Sequence, residues 1–343
     1  MSEQKRFRAR AVKLAAIAFG CVLVLGAAGA GWVYWHLDHN IRSVDIDKAL
    51  GDDRPARADQ AAASPSPSAA AEPVDKGVLN ILVLGSDSRT GKENKALGGG
   101  DSGGARSDTA MVVHLDAGRT KATVVSIPRD TLVERPACPT ESGGETAPAY
   151  RAMFNSAYAV GGPVCAVKTV EQLTGVRMDH YLEIDFAGFA QLVDALGGVD
   201  VTTTEDIDDD LSHLHLAAGD HHLDGAQALA FARTRHGVGD GSDLGRIKLQ
   251  QQLVKALMSE VSGSGLLTDP ARLYQVADAA TASLTADTGL DSLSELSGLA
   301  RSLSALPADS LKTVMMPVVR APSDANRVVA DEPGASRLWE SLR

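Results

Sequence analysis

Apolar positions along this chain of 343 residues fall into runs of two periods. GVLNILVLG (77–85) is continuously apolar and ends at glycine, which predicts a buried strand. AMVVHL (110–115) and ATVVSI (122–127) predict two more, and the turn-rich DAGRTK between them predicts an antiparallel hairpin. YLEIDF (181–186) and GVDVTTT (198–204) read as strands around AGFAQLVDALG, where Phe189, Leu192, Val193 and Leu196 recur at helical spacing. Further helices are predicted at 225–233, 243–261, 270–284 and 290–304, and TVMMPVV as a late strand. This interleaving predicts the α/β class, a central mixed sheet flanked by helices, with 78–343 as one domain. No internal repeat is present.

The apolar run at 14–35, LAAIAFGCVLVLGAAGAGWVYW, has no charge and a different meaning. An uncharged run of about 20 residues suffices for one transmembrane helix. Lys5, Arg6, Arg8, Arg10 and Lys13 precede it, and Trp32, Tyr34 and Trp35 close it. Basic flanks stay inside and aromatic rings favour the interface. The expected order is a cytoplasmic tail at 1–13, a membrane helix at 14–35, a flexible tether at 36–77 and an extracytoplasmic domain beyond. The tether rests on the Ala/Ser/Pro-rich segment 52–76, which has no apolar periodicity. The net charge of −11 argues against nucleic acid as a partner, and three cysteines exclude a disulfide-dense scaffold.

Three polar clusters sit at strand ends: GSDSR (85–89), ARSDT (105–109) and PRD (128–130). If the first three strands run up, down and up, Asp87, Arg89, Arg106, Asp108, Arg129 and Asp130 share one edge of the sheet. Loop edges are where sites are commonly built. Two later segments add LDGAQALAFARTRH (223–236), which brings Arg233 and Arg235, and SDLGRIKLQQQ (242–252). There Asp243, Arg246 and Gln250 share a helix face that turns apolar at Leu253 and Leu257. Arginine forks match phosphate oxygens bidentately. Asp87 and Asp108 are the candidate oxygen ligands for Mg²⁺, with Mn²⁺ as the alternative. No GxxxxGK[ST] motif is present, so a soluble nucleoside triphosphate is not suggested.

In chain order, NILVLGSDSR, RSDT, SIPRDT, FNSAYAVGG, TVEQLTG, HYLEIDFAGFAQLVDALGGVDV, LDGAQALAFARTR and DLGRIKLQQQ resemble the LytR-CpsA-Psr family of bacterial cell-wall assembly. The resemblance covers roughly 78–260. It implies a metal-dependent phosphotransferase that moves a glycopolymer from a polyprenyl-pyrophosphate carrier onto peptidoglycan. It also implies magnesium at Asp87 and Asp108, and pyrophosphate contacts at Arg106, Arg129, Arg233, Arg235, Arg246 and Gln250. Arg89 and Asp243 join the expected binding set, and Asp108, Arg129, Arg233 and Arg235 join Asp87 as expected catalytic groups. The Gly-rich insert KENKALGGGDSGGA (92–105) departs from the family pattern. A lipid-pyrophosphate hydrolase and a non-catalytic lipid-glycan binder stay open as alternatives, and Asp87, Asp108 and Asp130 all stand as candidates for the general base.

Cys138 and Cys165 would face an oxidising compartment and are expected to form a disulfide, with unpaired thiols as the alternative. His213, His215, His221 and His222 read as solvated loop residues and not as metal ligands. Asp206, Asp208, Asp209 and Asp210 lack the spacing of a calcium loop.

Overall fold

The computed structural model describes residues 28–57, 77–86, 107–140, 143–235, 243–263, 265–266, 269–307 and 310–343. A helix, α1, occupies 28–40 and leads into β1 (Arg42–Val44) and the short α2 (Ile46–Leu50). Next come β2 (Leu79–Ser86), β3 (Ser107–Leu115), β4 (Ala122–Ser126), the hairpin β5 (Leu132–Arg135) with β6 (Ala149–Met153), α3 (Asn155–Thr174), β7 (His180–Asp185) and α4 (Phe186–Ala195). Four short strands, β8 (Val199–Thr203), β9 (Ile207–Asp209), β10 (Leu214–Leu216) and β11 (Gly219–Leu223), form two pairs before α5 (Gly225–Arg233) and α6 (Asp243–Gly263). The chain closes with α7 (Pro270–Ser283), β12 (Leu284–Asp287), α8 (Leu293–Ser304), β13 (Leu311–Met315), the hairpin β14 (Val318–Ala321) with β15 (Asp324–Ala330), and α9 (Gly334–Glu340).

Seven strands form the central sheet in the order β1-β12-β7-β2-β3-β4-β13. β7–β2, β4–β13 and β1–β12 are parallel; β2–β3, β3–β4 and β12–β7 are antiparallel. The sheet is mixed, as expected. Both faces of β2 are covered, which is why its sequence is a continuous apolar run and not an alternation. On one face, Leu82, Leu84, Val112 and Val125 meet Val167 and Val170 of α3. On the other, Val193, Phe231, Leu249 and Leu253 join α4, α5 and α6 into a second apolar layer.

Local sequence positions that layer. Asp185 caps α4 by accepting from the Gly188 amide at 2.7 Å. Asp224 and Gln227 form a reciprocal capping box at the start of α5. A Cβ on Gly188 would collide with Ser283, and one on Gly225 with the Ala190 carbonyl, so both glycines permit helix contacts too close for any side chain.

The folded region begins earlier than residue 78. The expected tether at 36–77 holds at most for its later part, because residues 36–57 are built into the domain. Leu37, Ile46 and Leu50 are buried, and β1 extends the sheet. In HLDHNIRSVDIDKAL (36–50) the apolar residues stand among polar ones over too short a stretch to show a sustained helix or strand period. Residues 58–76, and residues 14–27 of the expected membrane helix, lie outside the described residues. No helix among the described residues is long and apolar enough to cross a membrane. Cys138 and Cys165 are joined, with Cα atoms 5.2 Å apart, tying the segment after β5 to α3.

Candidate functional site: a cationic rim on an apolar cavity

The antiparallel register pairs Ser86 with Ser107 and Met111 with Ser126. The C-terminal ends of β2 and β4 and the N-terminal end of β3 therefore lie on one edge. Of the residues expected there, Asp87, Arg89 and Arg106 lie outside the described residues. Asp108, Arg129 and Asp130 are brought together. The Arg129 guanidinium donates to Asp108 Oδ1, and its Nε lies 3.6 Å from Asp243 Oδ1 and 3.9 Å from Asp130 Oδ2.

The first turns of α6 supply the opposite wall. Arg246 pairs with Asp243 at 2.5 Å, one turn back on the same helix, and donates to the Asp108 carbonyl at 3.0 Å. Gln250 donates to Thr109 Oγ1 at 2.9 Å and to the Ala232 carbonyl at 3.0 Å, clamping α6 to β3 and α5. Burial pulls the Arg246 pKa down to about 10, with Asp243 opposing the shift, so it remains a cation at neutral pH. Burial and the neighbouring Arg129 charge also lower Arg235. The Arg233 guanidinium lies over the Phe186 ring, 4.9 Å from its centre, where stacking holds its plane.

Behind these groups opens a cavity of about 500 Å³ between the sheet and α4, α5 and α6. Its deeper lining is apolar, with Met111, Phe189, Leu192, Leu253, Leu257 and Leu284. Its polar lining includes Arg233, Arg235, Arg246 and Gln250 together with the carboxylates of Asp108, Glu183, Asp185 and Asp209. Such a site suits an amphiphile with a compact anionic head and a hydrocarbon tail. The Nε groups of Arg129 and Arg246 are buried without a hydrogen-bond acceptor, and Asp243 Oδ2 is buried without a donor. Buried groups left in this state cost free energy unless a ligand or ion completes them.

The donor set also bears on a divalent cation. Among the described residues, Asp108 Oδ1 accepts from Arg129 and Oδ2 takes no hydrogen bond, and hard cations take carboxylate oxygen. Of the expected pair of ligands, Asp108 is the one described, and its carboxylate fits such an ion.

Three contributors escaped sequence reasoning. Asp209, on β9, accepts from the Arg235 amide at 3.0 Å and from the Leu211 amide at 3.0 Å, fixing the segment after α5 that carries Arg235. It sits in a run of acidic residues where only the strand alternation of buried Ile207 and Asp209 sets it apart. Phe186 appeared only as part of an apolar stretch. Arg327, from β15, lies 3.5 Å from Asp130 and gives no local signal at all. Away from the cavity, the histidines read as loop residues lie partly in strands, His215 in β10 and His221 and His222 in β11. His215 comes together with Asp208 and Asp210, all three exposed.

The LytR_cpsA_psr family model matches residues 33–343. A probable cell wall biosynthesis protein LcpB of Corynebacterium glutamicum is 36% identical over 271 residues, covering 77% of this chain and 61% of the relative. A polyisoprenyl-teichoic acid–peptidoglycan teichoic acid transferase TagU of Bacillus cereus is 38% identical over 190 residues, 55% of each chain. The chain thus spans little more than half the length of these curated relatives. Among solved structures, a LytR-Csp2A-Psr enzyme from Actinomyces oris superposes with a TM-score of 0.63 at 23% identity, covering 88% of this chain and 95% of that one. TagV of B. subtilis superposes with a TM-score of 0.58 at 27% identity, covering 78% and 96%.

Proposed function

Because this chain belongs to the LytR-CpsA-Psr family, we propose that it is a membrane-anchored, metal-dependent phosphotransferase. The donor is a glycopolymer carried on polyprenyl pyrophosphate, and the acceptor is a sugar hydroxyl of peptidoglycan. The domain lies outside the cytoplasm, with the N-terminal tail inside. The observation that carries the reading is the junction of two chemistries. A rim of Arg233, Arg235 and Arg246, with Arg129 paired to the lining residue Asp108, borders a cavity whose interior is hydrocarbon-like. A pyrophosphate with a prenyl tail satisfies both at once.

The acceptor oxygen attacks the sugar-proximal phosphorus, forming the new phosphodiester, while the bond to the bridging oxygen breaks and polyprenyl phosphate leaves. The acceptor proton passes to a carboxylate, for which Asp87, Asp108 and Asp130 are the candidates. The arginines bind the non-bridging oxygens and stabilise charge in the transition state, the main catalytic term in phosphoryl transfer. Water is excluded by the apolar walls of α4 and α6. A bound Mg²⁺ would be held by Asp108 with Asp87 and would add charge neutralisation.

Purified full-length protein, a polyprenyl-pyrophosphoryl glycan and peptidoglycan fragments, followed by mass spectrometry of the products, test the reading. Glycan joined to the fragment through a phosphodiester is expected. Free phosphorylated glycan alone would replace transfer by hydrolysis, and an intact donor would leave a binding protein.

A further inference from the structure

The chain has no slack between its uncharged N-terminal stretch and the cavity. α1 is packed onto the domain. Leu37 is buried, and His36 Nε2 and Asn40 Nδ2 both reach Asp278 Oδ1 on α7, at 3.1 and 3.2 Å. Asp38 accepts from the Leu293 amide at the start of α8, at 2.8 Å. β1 follows and pairs with β12 through all three of its residues. Within it, Arg42 donates to the Ala282 carbonyl at 3.4 Å and lies 4.0 Å from Asp185, a residue of the cavity lining. The Ala/Ser/Pro-rich segment comes later in the chain, between α2 and β2, so it does not separate residues 14–35 from the domain.

The same helix keeps large aromatic rings in the open. Trp32, Tyr34 and Trp35 are 57%, 50% and 55% exposed. Indole and phenol rings left out of a core are at home at the headgroup level of a bilayer, where one end is apolar and the other wet. The residues before them, 14–31, carry no charge. At 1.5 Å per helical residue, Trp32 lies only about 6 Å along the axis from His36, the first residue that grips Asp278.

We infer that α1 is a rigid strut: it seats the domain directly on the outer surface of the bilayer, its three aromatic residues at the interface, and holds the cavity at a fixed height beside the lipid. The inference rests on the membrane anchor proposed above. A tethered domain would have to find its donor by diffusion, whereas a strut presents the Asp185 side of the cavity to the membrane continuously. Effective concentration and orientation are set by the helix and not by a linker.

Two measurements test the strut in the full chain. The protein has three tryptophans, and Trp339 is buried. In Trp339→Phe reconstituted into phosphatidylcholine–phosphatidylglycerol vesicles, lipids brominated near the glycerol end of the acyl chain should quench about half the emission, as expected of interfacial indoles. Lipids brominated at the chain terminus should quench far less. Unquenched emission from vesicle-bound protein overturns the strut. In the second, a flexible Gly-Ser spacer of about ten residues placed after Gly31 leaves every α1 docking contact in place. Turnover of a long-chain donor embedded in vesicles should fall about tenfold, and turnover of a short, water-soluble donor should not change. Wild-type turnover of the embedded donor, or an equal loss on both donors, overturns the proposal. Alkaline carbonate separates the two levels. Release of the wild-type protein removes the anchor itself, whereas retention with either negative result removes only the strut.

Discussion

Arg54 and Glu171, 117 residues apart, form an ion pair whose side chains are only 2% and 3% exposed. Nε reaches Oε2 at 3.0 Å, Nη2 reaches Oε1 at 2.6 Å, and Nη2 also donates to the Met178 carbonyl at 2.6 Å. The Met178 amide returns a bond to Glu171 at 2.9 Å. Both oxygens of the buried carboxylate thus accept from Arg54, a residue of the segment whose composition suggests a tether.

Removing one partner of such a pair leaves the other buried and uncompensated, at a cost of about 3–5 kcal/mol. Arg54→Ala should lose that much in urea unfolding, and a chain starting at residue 78 should fail to yield soluble domain. An Arg54→Ala midpoint equal to wild type would show that water reaches Glu171.

Arg235→Ala should weaken binding of a short prenyl pyrophosphate by about 2–5 kcal/mol, the range for losing one partner of a desolvated charge pair. Arg233→Lys should recover only part of the corresponding loss, because an ammonium cannot lie flat on Phe186 as the guanidinium does. Titration calorimetry with geranyl or farnesyl pyrophosphate reads both, and wild-type affinity in both variants would count against the rim.

Asp108→Asn keeps the shape of the side chain and removes its charge. The expected outcome is loss of the magnesium response of turnover with the thermal transition retained, since Asp108 sits at a strand end and not in the core. A magnesium response that survives the change would move the ion elsewhere.

Alkylation of the unreduced protein followed by intact-mass measurement should find one modifiable cysteine, Cys21, and three alkyl additions would refute the bond. Cys138→Ser with Cys165→Ser should lower stability by about 3 kcal/mol on the chain-entropy estimate for a loop of this size.

His114 gives the fold an acid-side weakness. Burial, reinforced by Arg119 and opposed by Asp116 and Asp179, lowers its pKa from the ordinary 6.5. The unfolded chain therefore takes up the proton first as pH falls, so the contribution to stability is present above about 6.5 and is lost below it. His114→Gln, which can keep the 2.8 Å contact with Asn80, should flatten the fall of thermal midpoint between pH 7 and 5. An unchanged slope would place the acid sensitivity in other groups.

The three strands β2, β3 and β4 were legible because their middle stretches are covered and therefore run apolar, and β2 and β4 end near a glycine or a proline. Their antiparallel order then placed Asp108 beside Arg129 without any knowledge of distance. The N-terminal segment was not legible: β1 is a three-residue strand with two exposed positions, and what holds it is a partner strand far along the chain. The hairpin β5–β6 was hidden for a similar reason, since LVER and AYRAM mix charges with apolar residues on a partly exposed pair. At the site, helix spacing gave Arg246 and Gln250, while Asp209 and Arg327 act through tertiary approach that no local pattern encodes.

The placement of β1 beside β12 also sets an order of events. Arg42 is made early, and its carbonyl partner Ala282 lies 240 residues later. Until that residue has emerged, the edge of the sheet stays open and Asp278 is not there to receive α1. Closure of so long a loop is entropically slow, and domains governed by distant pairings fold slowly as a class. β1, made before every other strand of the sheet, is thus among the last to be fastened, and the newly made protein passes through a period in which α1 and the cavity wall both wait for the same stretch of chain.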